Sequence, residues 1–457
     1  MQGNFKLAVL AIVLGLTPGL RAQLSIPDPS PSPHANLDSV TLNLAAVEDE
    51  RGSSGATAAS DSADSSASGG SGGEKTGLAH AFLQRVQVHG NLAQSVVYGS
   101  GNNFLTMDTN DGTAKWTEGS INLRTAITEN FHAGVQVHDY MMGQLGRGNV
   151  MLDWAYGDYR VKQWLGFRGG KIKAPMGLFN DTSDTDVVHN WALLPQGFYE
   201  AEYRSYNIPV IGGEIYGNVK LPVGGEVAYQ LFGGQRSVAS NDGTFLLTRQ
   251  LYGIVISADS GYTYGGDIKW RTPIKGFTAG VSFDNSRPFT PHALWPANAN
   301  PYGVPLVLRI DSAISRQIYS VDYQRGKLEL AAEGKIEPHW VANDGVPVLP
   351  TGSWRHAWYV MGAYHVTGKL TAGSYFSRST GTSYIATFSW AAYDPSNPNY
   401  YSDDTVVNAR YDINRFFYVK LEGHYIDGDL NSFFPATNPN GLQKVTRLGI
   451  ARLGFVF

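Results

Sequence analysis

The 11 histidines are the first place to look for acid–base or metal chemistry, and they are scattered along the chain. His356 and His365 fall on opposite faces of one alternating segment, and no serine stands beside either in a recognisable motif. A Ser–His or Asp–His hydrolase centre is therefore not expected. A metal site needs several converging ligands; the pairs Glu129/His132 and His138/Asp139 are no more than chance spacings. No glycine-rich loop opens a helix where a phosphate could sit. There are no cysteines, which excludes disulfides, thiolate metal sites and a lipid-bearing N-terminal cysteine. The expectation is a protein without catalytic residues, cofactor or metal.

What remains is charge placed at period two. In 416–426, Phe417, Val419, Leu421, Gly423 and Tyr425 share one face, while Tyr418, Lys420, Glu422 and His424 share the other. That is the strand pattern. It recurs at 121–127, 277–284, 328–337 and 407–412. The charged face collects Arg124, Arg316, Lys335, Arg355, Arg410, Lys420 and Arg452. Asp153, Glu214, Asp284, Asp322, Glu329, Glu333, Asp412 and Glu422 fall with them, so the signs nearly balance.

The connectors say how these segments are joined. Short turns fall near 128–130, 162–163, 221–223, 273–275, 325–326, 367–368 and 414–415. Longer polar loops lie near 98–115, 143–149, 174–208, 236–259, 286–313, 338–353, 380–403 and 427–443. Tight turns alternating with long loops are the layout of a transmembrane antiparallel β-barrel. Seven turns and eight loops join sixteen strands, with both ends on the short-turn side. The eighth strand, near 262–271, competes with the strand-like 251–257, and counts of fourteen or eighteen stay open.

Composition agrees. Charged residues make up 16% of the chain and aromatics 12%, with 25 tyrosines; soluble proteins average about 25% charged, and rings gather at membrane boundaries. Mean hydropathy is −0.20, and after the first twenty residues no run approaches the ~20 apolar residues of a spanning helix. A soluble β-sandwich would not need its outer faces ringed with Tyr and Trp. The net charge of −4 leaves no basic footprint for nucleic acid.

The remaining segments are address and tether. Lys6, an apolar run over 7–16 and Ala22 predict a signal peptide over 1–22. Residues 23–77, rich in Pro, Ser and Gly, predict a disordered periplasmic tether, and 78–457 is the barrel. The chain closes on Phe457, with Phe455, Leu453 and Ala451 on its face and Arg452 opposite. This resembles the C-terminal signal of outer-membrane barrels and implies Phe455 and Phe457 as the mark read by the barrel-assembly machinery.

About eight strands are filled by their own side chains, whereas sixteen leave room for water. The charges should then line an aqueous path. The loop 174–208 carries Asp181, Asp184, Asp186, Glu200, Glu202 and Arg204, with an apolar patch of Trp191, Leu193, Leu194 and Phe198. It either folds into the lumen, setting its acids opposite Arg124, Arg410, Lys420 and Arg452, or lies over the mouth as an external flap.

The runs GKIKAPMGLFND (170–181) and LLPQGFY (193–199), Arg204, and GGEIYGN (212–218) resemble the phosphate-selective porin superfamily. The resemblance implies a sixteen-stranded, homotrimeric porin narrowed by its third long loop, in the outer membrane of a Gram-negative bacterium and surrounded by its lipid. Phosphate selectivity in that family depends on a ladder of Arg and Lys, whereas this chain's lumen is mixed and its loop acidic. The expected function is passive diffusion of small hydrophilic solutes and ions. The alternatives are a phosphate- or anion-specific channel and an adhesion or anchoring barrel. A plugged transporter would need a barrel of about 22 strands.

Overall fold

The computed structural model describes residues 86–146, 148–237, 243–256, 260–300, 302–344, 351–385, 389–390 and 396–457. The expected signal peptide and tether lie outside the described residues.

Sixteen long strands form one closed antiparallel sheet. They are β1 Val86–Ser100, β2 Thr113–Ala126, β3 Phe131–Met142, β4 Met151–Lys162, β5 Leu165–Lys173, β6 Pro209–Lys220, β7 Glu226–Ser237 and β8 Ser260–Arg271. They continue as β9 Phe277–Trp295, β10 Leu306–Arg325, β11 Leu328–Asp344, β12 Thr351–His365, β13 Leu370–Ile385, β14 Tyr401–Asp412, β15 Phe417–Gly428 and β16 Val445–Val456. β16 returns to β1, from Asn91↔Val456 to Ser100↔Arg447, and this pairing closes the barrel. Closure leaves no sheet edge, so the ladder satisfies the backbone without water, as lipid requires.

The seven tight turns fall where the turn residues put them. The eighth strand is Ser260–Arg271, and its rival is not a barrel strand. Residues Gly243–Tyr252 form helix α1, followed by a two-residue strand, Val255–Ile256, that pairs with Ala293 and Leu294 at the rim. A second two-residue strand, Ser389–Trp390, pairs with Tyr384 and Ile385.

Burial is inverted relative to a water-soluble protein. Leu92, Val96, Ile121, Leu123, Val407, Leu421 and Leu453 are exposed, while Asp284, Glu333, Lys420 and Arg452 are buried. On β15 the two classes alternate residue by residue. Exposed aliphatics around a whole barrel make sense only against an apolar solvent, with polar groups turned inward. β4 breaks the alternation once. Gln136 pairs with Trp154 and Val137 with Leu152, leaving Asp153 as an extra residue. This bulge lets Asp153 and Trp154 both be buried on the lumen side.

At the turn-side rim Phe457 pairs with Gly90 through two backbone hydrogen bonds of 2.9 and 3.0 Å. Its ring lies over Gly90, where any side chain would collide with it. The Phe455 ring packs at a tilt against Phe417, centroids 4.9 Å apart, and adjoins Phe457 at 5.8 Å. The terminal aromatic therefore closes the last strand against the first.

Candidate functional site

The loop 174–208 lies inside the barrel rather than over it. Asn180 ties its two ends together, donating to the Ala174 carbonyl at 2.8 Å and the Asn207 carbonyl at 3.1 Å. Short 3-10 turns at Asp186–Val188 and Ala201–Tyr203, and a single helical turn at Arg204–Asn207, give the loop its shape.

Three carboxylates of the loop meet cations. Asp186 accepts from Lys420 Nζ at 2.8 Å and the Tyr418 hydroxyl at 2.6 Å, and forms an ion pair with Arg452, whose Nε lies 2.9 Å away. Burial alone would raise this carboxyl; Arg452 and Lys420 reverse that and hold it well below its ordinary range. Asp184 meets Lys173 at 2.6 Å and Arg204 at 3.3 Å. Asp153 of the bulge shares both cations, at 3.1 Å from Arg204 and 3.8 Å from Lys173. Gln136 bridges the two acids. Glu200 faces Lys335 at 3.4 Å and Arg355 at 3.5 Å.

The wall also grips the loop backbone. Glu422 accepts from the N–H groups of Ala192 and Leu193 at 2.9 and 3.0 Å, and Glu333 from Leu178 N–H at 2.8 Å and the Tyr199 hydroxyl. Arg410 donates to the carbonyls of Val187 and His189 at 2.6 and 2.9 Å. Arg316, paired with Asp284 at 2.6 Å, also donates to Asn207 at 2.6 Å.

The apolar patch explains why the loop comes inside. Trp191, Leu194 and Phe198 are buried with Met361, Tyr359 and Tyr375 of β12 and β13. Trp191 meets Tyr375 edge-on at 5.1 Å and Phe198 meets Tyr359 at 5.3 Å. Leu193 turns the other way, into a cluster with Phe104, Leu105, Phe433 and Phe434 from the mouth loops. Each such side chain contributes about 1.5–3 kcal/mol on burial.

Every wall residue expected to face inward does so, but not all meet the loop. Arg124 lies over the Trp154 ring at 5.5 Å, away from the loop acids. On β2 the residue level with Arg452 is Trp116, and Arg124 stands well toward the short-turn end. Asp181 makes no ion pair with its carboxylate among the described residues; its carbonyl accepts from Lys173 at 3.1 Å. Glu202 is buried and takes one weak contact from Ser432 N–H at 3.3 Å. Burial, with Glu200 close by, raises its carboxyl to about 7.

Sequence reasoning passed over Lys173, Glu118 and Arg168. Lys173 ends β5, where strict alternation would place it with outward Lys171, but its ammonium turns into the lumen as the chain leaves the strand. Glu118 braces Arg452 at 2.7 Å, and Arg168 joins Asp158 at 3.1 Å to Glu214 at 2.9 Å nearer the turns. The phase of β2 and β5 would have found the last two. Between the loop and the wall of β2 and β3 remains a cavity of about 90 Å³, lined by Trp116, Glu118, Tyr140, Asp186, Gln196 and Arg204. An arrangement of fixed, paired charges around a narrowed lumen can sort solutes by size and local field.

Neither a protein-family model nor a curated protein matches the sequence. Among solved structures, OmpTdeltaL8, a loop L8 deletion mutant of the outer membrane protein OmpT of Vibrio cholerae, matches with a TM-score of 0.50 at 11% identity, over 81% of this chain and 99% of that one. The anion-selective porin from Comamonas acidovorans gives 0.47 at 8% identity, over 81% and 99%. Salmonella typhi OmpF in complex with Daunomycin gives 0.48 at 12%, over 81% and 97%. At these identities the likeness to OmpTdeltaL8 speaks for the fold alone: this chain has the fold of an outer-membrane β-barrel.

Proposed function

We propose that this protein is an outer-membrane porin through which small hydrophilic solutes and ions diffuse passively. The observation that carries the reading is the loop 174–208, drawn across a charged lumen and tied by Asp186 to β15 and β16 and by Glu200 to β11 and β12. A barrel that served only as an anchor or adhesin has no need of a charged interior with a loop fastened at mid-lumen. In this reading the leader exports the chain, Phe455 and Phe457 direct its assembly, and the barrel works as a homotrimer in lipid without enzymatic activity. The resemblance to the phosphate-selective porins supports the architecture, while the acids paired along the loop favour a weak ion preference over a phosphate-specific one.

Single-channel recording of the purified protein in planar bilayers under a KCl gradient is the test. Stepwise conductance with a small zero-current potential is expected. Absence of steps, with lipase or peptidase activity or cell adhesion in their place, would overturn the proposal. Strong block of chloride current by phosphate would move the protein to the phosphate-specific class.

A further inference from the structure

The outer face of β14, β15, β16 and β1 carries a groove whose register can be read row by row. One outward row runs Val407, Gly423, Gly449, Tyr98, each residue level with the next across the sheet. The row nearer the turns runs Ala409, Leu421, Ala451, Val96. Together they line an apolar groove of about 600 Å³. Its depth comes from bare backbone at Gly423 and Gly449, yet the fold does not require glycine at either place. A Cβ on Gly423 would meet Val407 at 3.6 Å and one on Gly449 the Tyr98 carbonyl at 3.9 Å, both ordinary contacts.

The row nearer the loops changes character. Arg447, next outward residue above Gly449 on β16, lies over the Tyr425 ring at 5.6 Å. It has no carboxylate partner among the described residues. Other cations toward the loop side of this sheet are compensated: Lys444 meets Asp427 at 3.6 Å and, three strands away on β13, Arg378 meets Asp403 at 3.0 Å. An exposed, uncompensated guanidinium thus caps the loop-side end of an apolar groove on the face turned to the membrane.

We infer that this groove binds one outer-leaflet lipid whose phosphate headgroup carries net negative charge, an acyl chain lying along Gly423 and Gly449 and the phosphate on Arg447, uncompensated by a cation of the headgroup's own. The inference rests on the proposed outer-membrane setting, which puts the loops on the external side. An acyl chain fills an apolar groove without side chains of its own, and guanidinium matches phosphate in charge and hydrogen-bond geometry. The exposed guanidinium without a carboxylate of its own favours an anionic lipid as the occupant, and a second copy seated on the same face is what the oligomeric state tests.

The full chain, purified in detergent, is titrated with phosphatidylglycerol and with phosphatidylcholine of the same acyl chains, and bound lipid is counted by native mass spectrometry. Phosphatidylglycerol should be retained about fivefold better, the pull of one basic residue at a membrane surface. Arg447→Gln should erase that preference, and Gly449→Leu should lower retention of both lipids. Both variants should keep the β spectrum, heat-modifiable migration and wild-type conductance. Equal retention of the two lipids, unaffected by Arg447→Gln, would overturn the inference, as would Gly449→Leu changing the oligomeric state while lipid retention stayed. Wild-type channels failing to conduct while the lipid preference persisted would count against the porin reading alone.

Discussion

Asp186 is compensated twice over, by Lys420 and by Arg452, so neutralising it uncovers two cations at once. Asp186→Asn should move the zero-current potential toward anions at low salt. The shift should shrink at about 1 M KCl, where the screening length is about 3 Å. It should also loosen the loop, since a buried polar group left unmatched costs about 1–3 kcal/mol, and current noise should rise. Asp181→Asn should shift the potential in the same direction without the noise, because that carboxylate anchors no cation. An unchanged potential in both variants would place the conducting path away from the loop. Glu202 adds a pH dependence. Its carboxyl rises from an ordinary 4.5 to about 7 when buried. The folded loop therefore holds a proton that the released loop gives up between those values. The contact is fully stable below 4.5, weakens as pH climbs toward 7, and changes little beyond. Exchange of the Ser432 amide should speed up over that window, and Glu202→Gln should flatten the profile.

At the scale of elements, the loop is held as much by rings as by charge. Trp191→Ala combined with Phe198→Ala costs about 3–5 kcal/mol for each ring, lost burial plus the cavity left behind. Conductance and noise should rise while heat-modifiable migration is unaltered, because the ladder of the wall is untouched. Unaltered traces would mean that the polar contacts suffice. Strand positions and turns were legible because alternation and turn residues act over a few neighbours, as the faces of β15 illustrate. The loop's inward course was half legible: its apolar patch demanded a partner, but an external flap satisfied that demand equally well until Tyr359 and Tyr375 were seen beneath it. The bulge that admits Asp153, the inward turn of Lys173 and helix α1 were not legible. The first two depend on register with a neighbouring strand or on the exit angle of the chain, and α1 on the mouth loops it packs against. Arg124 was placed on the right face and the wrong level, since phase fixes the side of the sheet but not the height.

For the molecule as a whole, the chain's division implies unequal consequences of cutting it. Removing 25–74 should leave conductance and barrel melting unchanged, because so little apolar surface cannot join a core. Removing 455–457 takes away the partner of Gly90 and the rings beside Phe417, and should prevent heat-modifiable β-barrel from forming. If the first deletion blocked insertion and the second did not, the roles assigned to the two ends would be exchanged. A hoop of sixteen strands is held at its circumference by hydrogen bonds, which resist stretching along the sheet far better than they resist squashing into an oval. The loop 174–208 is fastened at Lys173, at Arg316, at Lys335 and Arg355, and again at Lys420 and Arg452. It therefore spans the hoop as a strut, so that the aperture and the outline of the barrel become one mechanical variable; in the proposed porin, side pressure from the membrane would reach the solute path through the same struts that narrow it.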